Sequence, residues 1–309
     1  MKHVVITGVS TGIGLAIAKK LIDQGYQVFG SVRSSADADR LRQQFGDHFV
    51  PLRFDVTDEN AVTTAAAEVG KQLGNVTLAG LINNAGISVA GPLAYLQTDQ
   101  FRHQLEVNLV GPMSVTRAFL PLLGTDPNRE GPPGRIVNIS SVGGKIAGPF
   151  LGAYSASKFG LEGMSESLRR ELMLFGIDVI IVGPGAVKTP IWEKGEKGVA
   201  EQFQNTPYRE SLLKLKEFAA NEERSGFEPE VIGETVWQAL TVARPKTRYA
   251  IVPQRFTHWV LPQFLPKRTL DKLIAQTMGL MLRTPTAPTT PTPSSSPTAP
   301  ATDVLPRRQ

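Results

Sequence analysis

The sequence predicts a doubly wound α/β fold: a mostly seven-stranded parallel sheet with helices on both faces, followed by a C-terminal helical extension. Three observations predict it. Short β-branched runs alternate with helix-length segments from residue 3 to about 252. The runs are apolar throughout rather than at every second position, as strands buried on both faces must be. A glycine-rich turn joins the first run to the first helical segment, and sheets of this kind bind ligands at the carboxyl ends of their strands.

In order, the predicted strands are 4–7, 27–32, 49–54, 78–83, 135–140, 179–182 and 249–252. The clearest helical stretches are 12–24, 58–73, 98–123, 154–175 and 229–243. Together, residues 1–254 form one dinucleotide-binding and catalytic domain. Residues 186–228 interrupt its rhythm with Trp192, Phe203, Tyr208, Leu212, Leu213 and Phe218 set among charges. A long insertion after a strand reads as a substrate lid, with a helical hairpin padding one edge as the bland alternative. Residues 255–283 are strongly apolar with basic punctuation, including Trp259, Phe264, Leu265, Leu273 and Met281. Packing on the chain's own domain is the primary reading of this helical extension. Sealing a dimer or resting on a membrane surface is secondary. Residues 284–309 are rich in Thr, Pro, Ser and Ala, cannot bury enough apolar surface to offset chain entropy, and are expected to be disordered.

Composition narrows the chemistry. The chain has 309 residues, 41% of them hydrophobic, so it can build a large core without covalent staples. It contains no cysteine, which removes disulfides, thiolate catalysis and cysteine-ligated metals. Its histidines, His3, His48, His103 and His258, have no partners at ligand spacing, so no metal site is expected. The net charge of +5 is spread along the chain rather than clustered with aromatics, which argues against nucleic-acid binding. The first residues run directly into a strand, with no signal-peptide pattern. No apolar run reaches the ~18 residues of a membrane helix. A cytoplasmic protein is expected.

The turn Thr7-Gly8-Val9-Ser10-Thr11-Gly12-Ile13-Gly14 supplies close backbone approach and a helix N-terminus for a pyrophosphate. At the end of the second strand an NAD site usually carries an acid for the ribose hydroxyls. Here the chain reads Gly30-Ser31-Val32-Arg33. A guanidinium grips a 2′-phosphate, so NADP(H) is the preferred cofactor and NAD(H) the second choice. Ser31 and Ser34 are candidates for further phosphate hydrogen bonds. Tyr154 and Lys158 stand four apart on one predicted helix face. A phenol titrates near pH ~10 and becomes a usable base when an ammonium stabilises its anion. Ser140 and Ser141 end the fifth strand, where either hydroxyl reaches a ligand. Asn108, inside a helix among Val107, Leu109 and Val110, needs a partner if buried.

Taken with Asp55-Val56, Asn83-Asn84-Ala85-Gly86 and Pro184-Gly185 with Thr189, these motifs resemble the short-chain dehydrogenase/reductase family in order and spacing from residue 3 to about 190. The resemblance implies a Rossmann fold and an oxidoreductase that interconverts a hydroxyl and a carbonyl on a small molecule. It implies that Tyr154 transfers the proton, Lys158 lowers the Tyr154 pKa and binds the nicotinamide ribose, and Asn108 holds a water in a proton relay. Ser141 is preferred to Ser140 for polarising the carbonyl, because the family places its serine thirteen residues before the tyrosine. The cofactor-binding set is Gly8, Ser10, Thr11, Gly12, Ile13, Gly14, Arg33, Asp55, Val56, Asn84, Ala85, Gly86, Lys158, Pro184, Gly185, Val187 and Thr189. Some NADP(H)-preferring members carry a second basic residue in the glycine turn, where this chain has Ser10 and Thr11. The stretch from Tyr154 and the one from Pro184 are similar to steroid and retinol dehydrogenase-like members.

Segments 89–93, 142–151 and the lid offer Ala90, Leu93, Ile146, Phe150, Leu151, Ile191 and Trp192 as an apolar pocket lining, which favours a hydrophobic substrate. Homodimers or homotetramers through helices 98–123 and 154–175 are a further implication of the resemblance. Two other functions stand beside the oxidoreductase. A non-catalytic NADP(H) sensor would not need Ser141, Tyr154 and Lys158. A sugar-nucleotide epimerase or dehydratase would carry a different glycine spacing and a larger C-terminal domain.

Overall fold

Val4, Val5 and Ile6 are all fully buried, yet successive side chains of a strand point to opposite faces. Val4 and Ile6 join one apolar core and Val5 the other. The first strand is therefore covered on both sides, as its unbroken apolar run requires. The computed structural model describes residues 1–189, 198–253 and 259–281. Ile191, Trp192, the 255–258 stretch and the 284–309 tail, for which a lid, an extension and disorder are expected, lie outside the described residues.

The strands are β1 Lys2–Ile6, β2 Tyr26–Val32, β3 Phe49–Arg53, β4 Gly80–Asn83, β5 Arg135–Ile139, β6 Asp178–Pro184 and β7 Arg248–Ile251. They form one sheet in the order β3-β2-β1-β4-β5-β6-β7, and every pairing is parallel. The chain reverses direction across the sheet between β1 and β4. This switch point opens a crevice at their carboxyl ends.

The helices are α1 Gly12–Asp23, α2 Ser35–Phe45, α3 Glu59–Leu73, α4 Thr98–Leu105, α5 Gly111–Leu120, α6 Gly152–Glu171, α7 Val199–Gln202, α8 Arg209–Ser225, α9 Pro229–Thr241, α10 Leu261–Phe264 and α11 Lys267–Met278. Helix α2 has no counterpart among the clear helical stretches of the sequence. Its polar face hides the period, and only Ala38 and Leu41 are buried. What defines it is a cap: the Ser34 hydroxyl accepts the Asp37 N–H. The predicted helix 98–123 is divided in two by a π-helical turn, Glu106–Val110. Such turns recur at functional sites, and this one holds Asn108.

The insertion after β6 is stapled at its root. Lys188 N–H donates to the Phe227 carbonyl and Phe227 N–H to that of Ala186, both at 3.0 Å. Beyond this root α7, α8 and α11 share a separate apolar cluster with Ala90 and Phe150. Met278 and Ile274 of the C-terminal extension therefore pack on the insertion. Among the described residues, no helix is long and apolar enough to cross a membrane.

Candidate active site

A cleft of about 360 Å³ runs along the switch point from the glycine turn to Tyr154. Its first wall is backbone. Gly8 and Gly12 sit at φ +70° and +60°, a region that side chains avoid. A Cβ on Gly14 would overlap the Gly8 carbonyl oxygen, and one on Gly8 would come within 2.9 Å of the Ala85 Cα. The turn is held by Thr7, whose hydroxyl accepts the N–H groups of Asn84 and Ala85, each at 2.9 Å. The Asn84 amide returns two bonds, to the carbonyls of Thr7 and Gly8. Thr11 begins α1 without a side-chain cap among the described residues, and the first turn carries no acid. The helix end thus presents free N–H groups and its positive pole to the cleft. This cradle fits a dinucleotide's pyrophosphate.

Arg33 lines the cleft at the end of β2. Its guanidinium lies 3.7 Å from the Asp55 carboxylate and is largely exposed, a loose pair that leaves it free to meet an anion. Burial works to raise the Asp55 carboxyl. The Thr57 N–H and hydroxyl, with Arg33 and His103, outweigh it and hold the group below its ordinary value. Ser31 and Ser34, the candidates for further phosphate hydrogen bonds, already make local bonds in the chain. The Ser31 hydroxyl accepts the Gly8 N–H at 2.9 Å, and that of Ser34 caps α2 and donates to Asp37. The structure supplies a cation the sequence did not announce. Arg40 reaches across from α2 to the Ser10 carbonyl at 2.8 Å, beside the turn where no second basic residue was found. The signal was the Ser34 cap, which sets the helical phase that turns Arg40 toward the loop.

Val56, Gly86, Pro184, Gly185, Val187 and Thr189 line the same cleft, with Ser10, Ile13, Asp55 and Ala85. Every proposed cofactor residue lies along this one wall. At its far end Tyr154, Ser141 and Lys158 converge, all buried. Ser141 bonds the Tyr154 phenol and accepts the Gly143 N–H at 3.0 Å. Ser140 faces away and donates to Glu162 at 2.8 Å. The Lys158 ammonium donates to the Ile139 carbonyl at 2.9 Å and lies 5.8 Å from the Tyr154 ring centre.

Burial dominates the electrostatics of Tyr154 and Lys158. Burial pushes the Tyr154 phenol above its ordinary value, opposed by the Ser141 hydrogen bond. Burial also lowers Lys158 from 10.5 to about 8, with Glu162 opposing. Desolvation is the largest influence on both groups. Asn108 spends its amide on the loop after β4. It accepts the Ile87 N–H and donates to the Ile87 carbonyl, each at 2.9 Å, and to Ser157 at 3.2 Å.

Fold and cleft together define a doubly wound protein whose switch-point cleft brings a serine, a tyrosine and a lysine to one end. The short chain dehydrogenase family model matches residues 2–199. The chain belongs to this family and carries its class of reaction, the interconversion of hydroxyl and carbonyl groups on small molecules. It is 36% identical over 273 residues to an NADPH-dependent 3-dehydrocapnine reductase of Ornithobacterium rhinotracheale, covering 88% of this chain and 96% of that one. It is 33% identical over 290 residues to retinol dehydrogenase 16 of Mus musculus, covering 88% and 87%. Among solved structures, a short-chain dehydrogenase from Streptomyces avermitilis matches with a TM-score of 0.67 at 27% identity, covering 90% of this chain and 95% of that one.

Proposed function

We propose that the protein is an NADP(H)-dependent carbonyl reductase acting on an apolar small molecule, with Tyr154 as its general acid and base. The observation that carries this reading is the hydrogen-bonded Ser141–Tyr154 pair beside buried Lys158, at the end of a cleft that begins at a phosphate-sized glycine cradle. When bound, the dinucleotide supplies or accepts the hydride at its nicotinamide ring.

The chain's own residues do the rest. Gly8, Ser10, Thr11, Gly12, Ile13 and Gly14 hold the pyrophosphate on the α1 N-terminus. Arg33, with no acid at the end of β2, selects the 2′-phosphate. Asp55 and Val56 flank the adenine. Asn84, Ala85 and Gly86 with Pro184, Gly185, Val187 and Thr189 hold the nicotinamide end, and Lys158 binds its ribose. Ser141 donates to the carbonyl oxygen. At neutral pH a phenol raised by burial carries its proton, and a lysine near 8 is mostly ammonium. A protonated phenol is the form that gives a proton to a forming alkoxide in the reduction. Asn108 orders the loop after β4. A relay water there would share an amide already bonded to Ile87 and Ser157.

The NADPH dependence named for the Ornithobacterium relative supports the cofactor reading. The buried apolar cluster of Ala90, Phe150, Phe203 and Leu212 ties the insertion to the 89–93 and 142–151 segments, which supports the lid role of 186–228. The relatives are named for different substrates, retinol and 3-dehydrocapnine, so they narrow the reaction and not the molecule. Homodimers through α5 and α6 are part of the proposal, supported by the exposed Met113 and Phe159 on those helices. A panel of ketones, aldehydes and alcohols, followed by nicotinamide absorbance with each cofactor, tests it. Turnover of apolar carbonyls with NADPH over NADH is expected. No turnover with either cofactor would overturn the reading.

A further inference from the structure

Directly behind the site lies a cluster of charges that the reaction as proposed leaves unused. Glu162, one helical turn beyond Lys158 on α6, is 2% exposed. Its carboxylate accepts from Arg248 Nε at 3.0 Å and Nη2 at 2.9 Å, and from the Ser140 hydroxyl at 2.8 Å. Lys145 approaches it at 3.4 Å. Arg248, on edge strand β7, sends Nη2 on to the Ser141 carbonyl at 3.2 Å. Its Nη1 is buried without a partner among the described residues. Trp259 of the C-terminal extension covers the guanidinium at 4.2 Å.

The surrounding glycines make room for this arrangement. A Cβ on Gly183 would overlap the guanidinium, and one on Gly144 would come within 2.8 Å of the Ser140 hydroxyl and 3.0 Å of Glu162 Cγ. A buried ion pair is poor evidence for stability, because desolvation offsets most of its attraction. Its placement is what calls for a role. Each member grips one strand-end serine, Glu162 the Ser140 hydroxyl and Arg248 the Ser141 carbonyl, and Glu162 follows Lys158 on the same helix.

We propose that Glu162 and Arg248 are positioning residues: the pair fixes the Ser140–Ser141 strand end and balances the charge around Lys158 and Tyr154, with Trp259 sealing it from water. This rests on the carbonyl-reductase reading of the same site. The pair has a signature that packing alone lacks, because its two members push the same protons in opposite directions. The charges facing Lys158 and Glu162 are Arg248 from β7, Lys145 from the 142–151 segment, and Glu166 on α6, which shares Lys145 at 3.9 Å. Neutralising Glu162 leaves Arg248 and Lys145 in excess, so Lys158 loses its proton at lower pH. Removing the Arg248 charge leaves Glu162 in excess, so Lys158 holds its proton to higher pH.

The test uses full-length protein with isotope-labelled lysine side chains, titrated by NMR, with Lys158→Met identifying the resonance. Glu162→Gln is expected to lower the Lys158 midpoint by roughly 1 pH unit and Arg248→Met to raise it by a similar amount. The double variant is expected to return it near the starting value. The alkaline limb of kcat for the carbonyl found by panel should move the same way in each variant. Midpoints that stay fixed, or move in one direction in both single variants, would overturn the proposal. The NMR readout needs no turnover, so an inactive panel would sink the underlying reading by itself.

Discussion

Around the glycine turn the cleft wall is main chain: Gly8 and Gly12 at positive φ, Gly14 against the Gly8 carbonyl, and an uncapped helix end. The insertion after β6 is instead held by side chains, in a cluster apart from the residues that line the cleft. Phe203 seals Gly91, whose added Cβ would fall 2.7 Å from its ring. Phe150 is held at φ +65°, the only non-glycine with positive φ among the described residues, by a T-shaped contact with Tyr208 at 5.7 Å. A backbone wall recognises what every dinucleotide shares and fixes residue types at fixed spacing. Side-chain packing holds a segment in place, and many combinations of apolar residues build it.

If this contrast is right, lesions on the two sides separate. Phe203→Ala removes a buried ring worth about 3–5 kcal/mol of packing. It is expected to raise the substrate KM and speed proteolysis between residues 198 and 226 while leaving NADPH affinity near normal. A matching loss of NADPH affinity, read by cofactor fluorescence, would erase the distinction. Gly14→Ala is expected to cost about 1–3 kcal/mol through overpacking and to abolish NADPH binding. Thermal melting and the same titration check it, and tight binding would show that the turn is not a cradle. Arg33→Ala is expected to weaken NADPH about tenfold, discounted for its exposure, and NADH little. Equal losses would remove the 2′-phosphate role.

The same asymmetry explains what was legible in the sequence. The strands, the glycine turn and the spacing of Ser141, Tyr154 and Lys158 were readable because each depends on local pattern. Residues such as Arg40 and Arg248 were not. Arg40 gains its place from the Ser34 cap, and Arg248 from the pairing of β7 with β6, which sets it opposite Ile181. Spacing reports the proximity of Tyr154 and Lys158 and says nothing of the desolvation that burial adds at both. Ser31 and Ser34 also serve the turn and α2, bonds that the sequence did not announce.

The smallest expected effect is on stability against pH. Lys158 titrates at about 8 in the folded chain and at 10.5 when exposed. Between those values the unfolded state binds more protons, so the cost of burying the ammonium fades and stability rises with pH. Tyr154 acts oppositely above its ordinary value of 10.0, because the folded phenol keeps its proton longer. Melting temperature against pH should therefore rise less in Lys158→Met than in the wild type from pH 8 upward. Identical slopes would mean the ammonium is not buried.

The most direct test of the proton-transfer centre is Tyr154→Phe, assayed for NADPH binding and for turnover of an apolar ketone in the same preparation. Binding is predicted to persist while turnover falls by ~10²-fold or more, the scale of lost acid–base catalysis. Turnover close to that of the wild type would contradict the account.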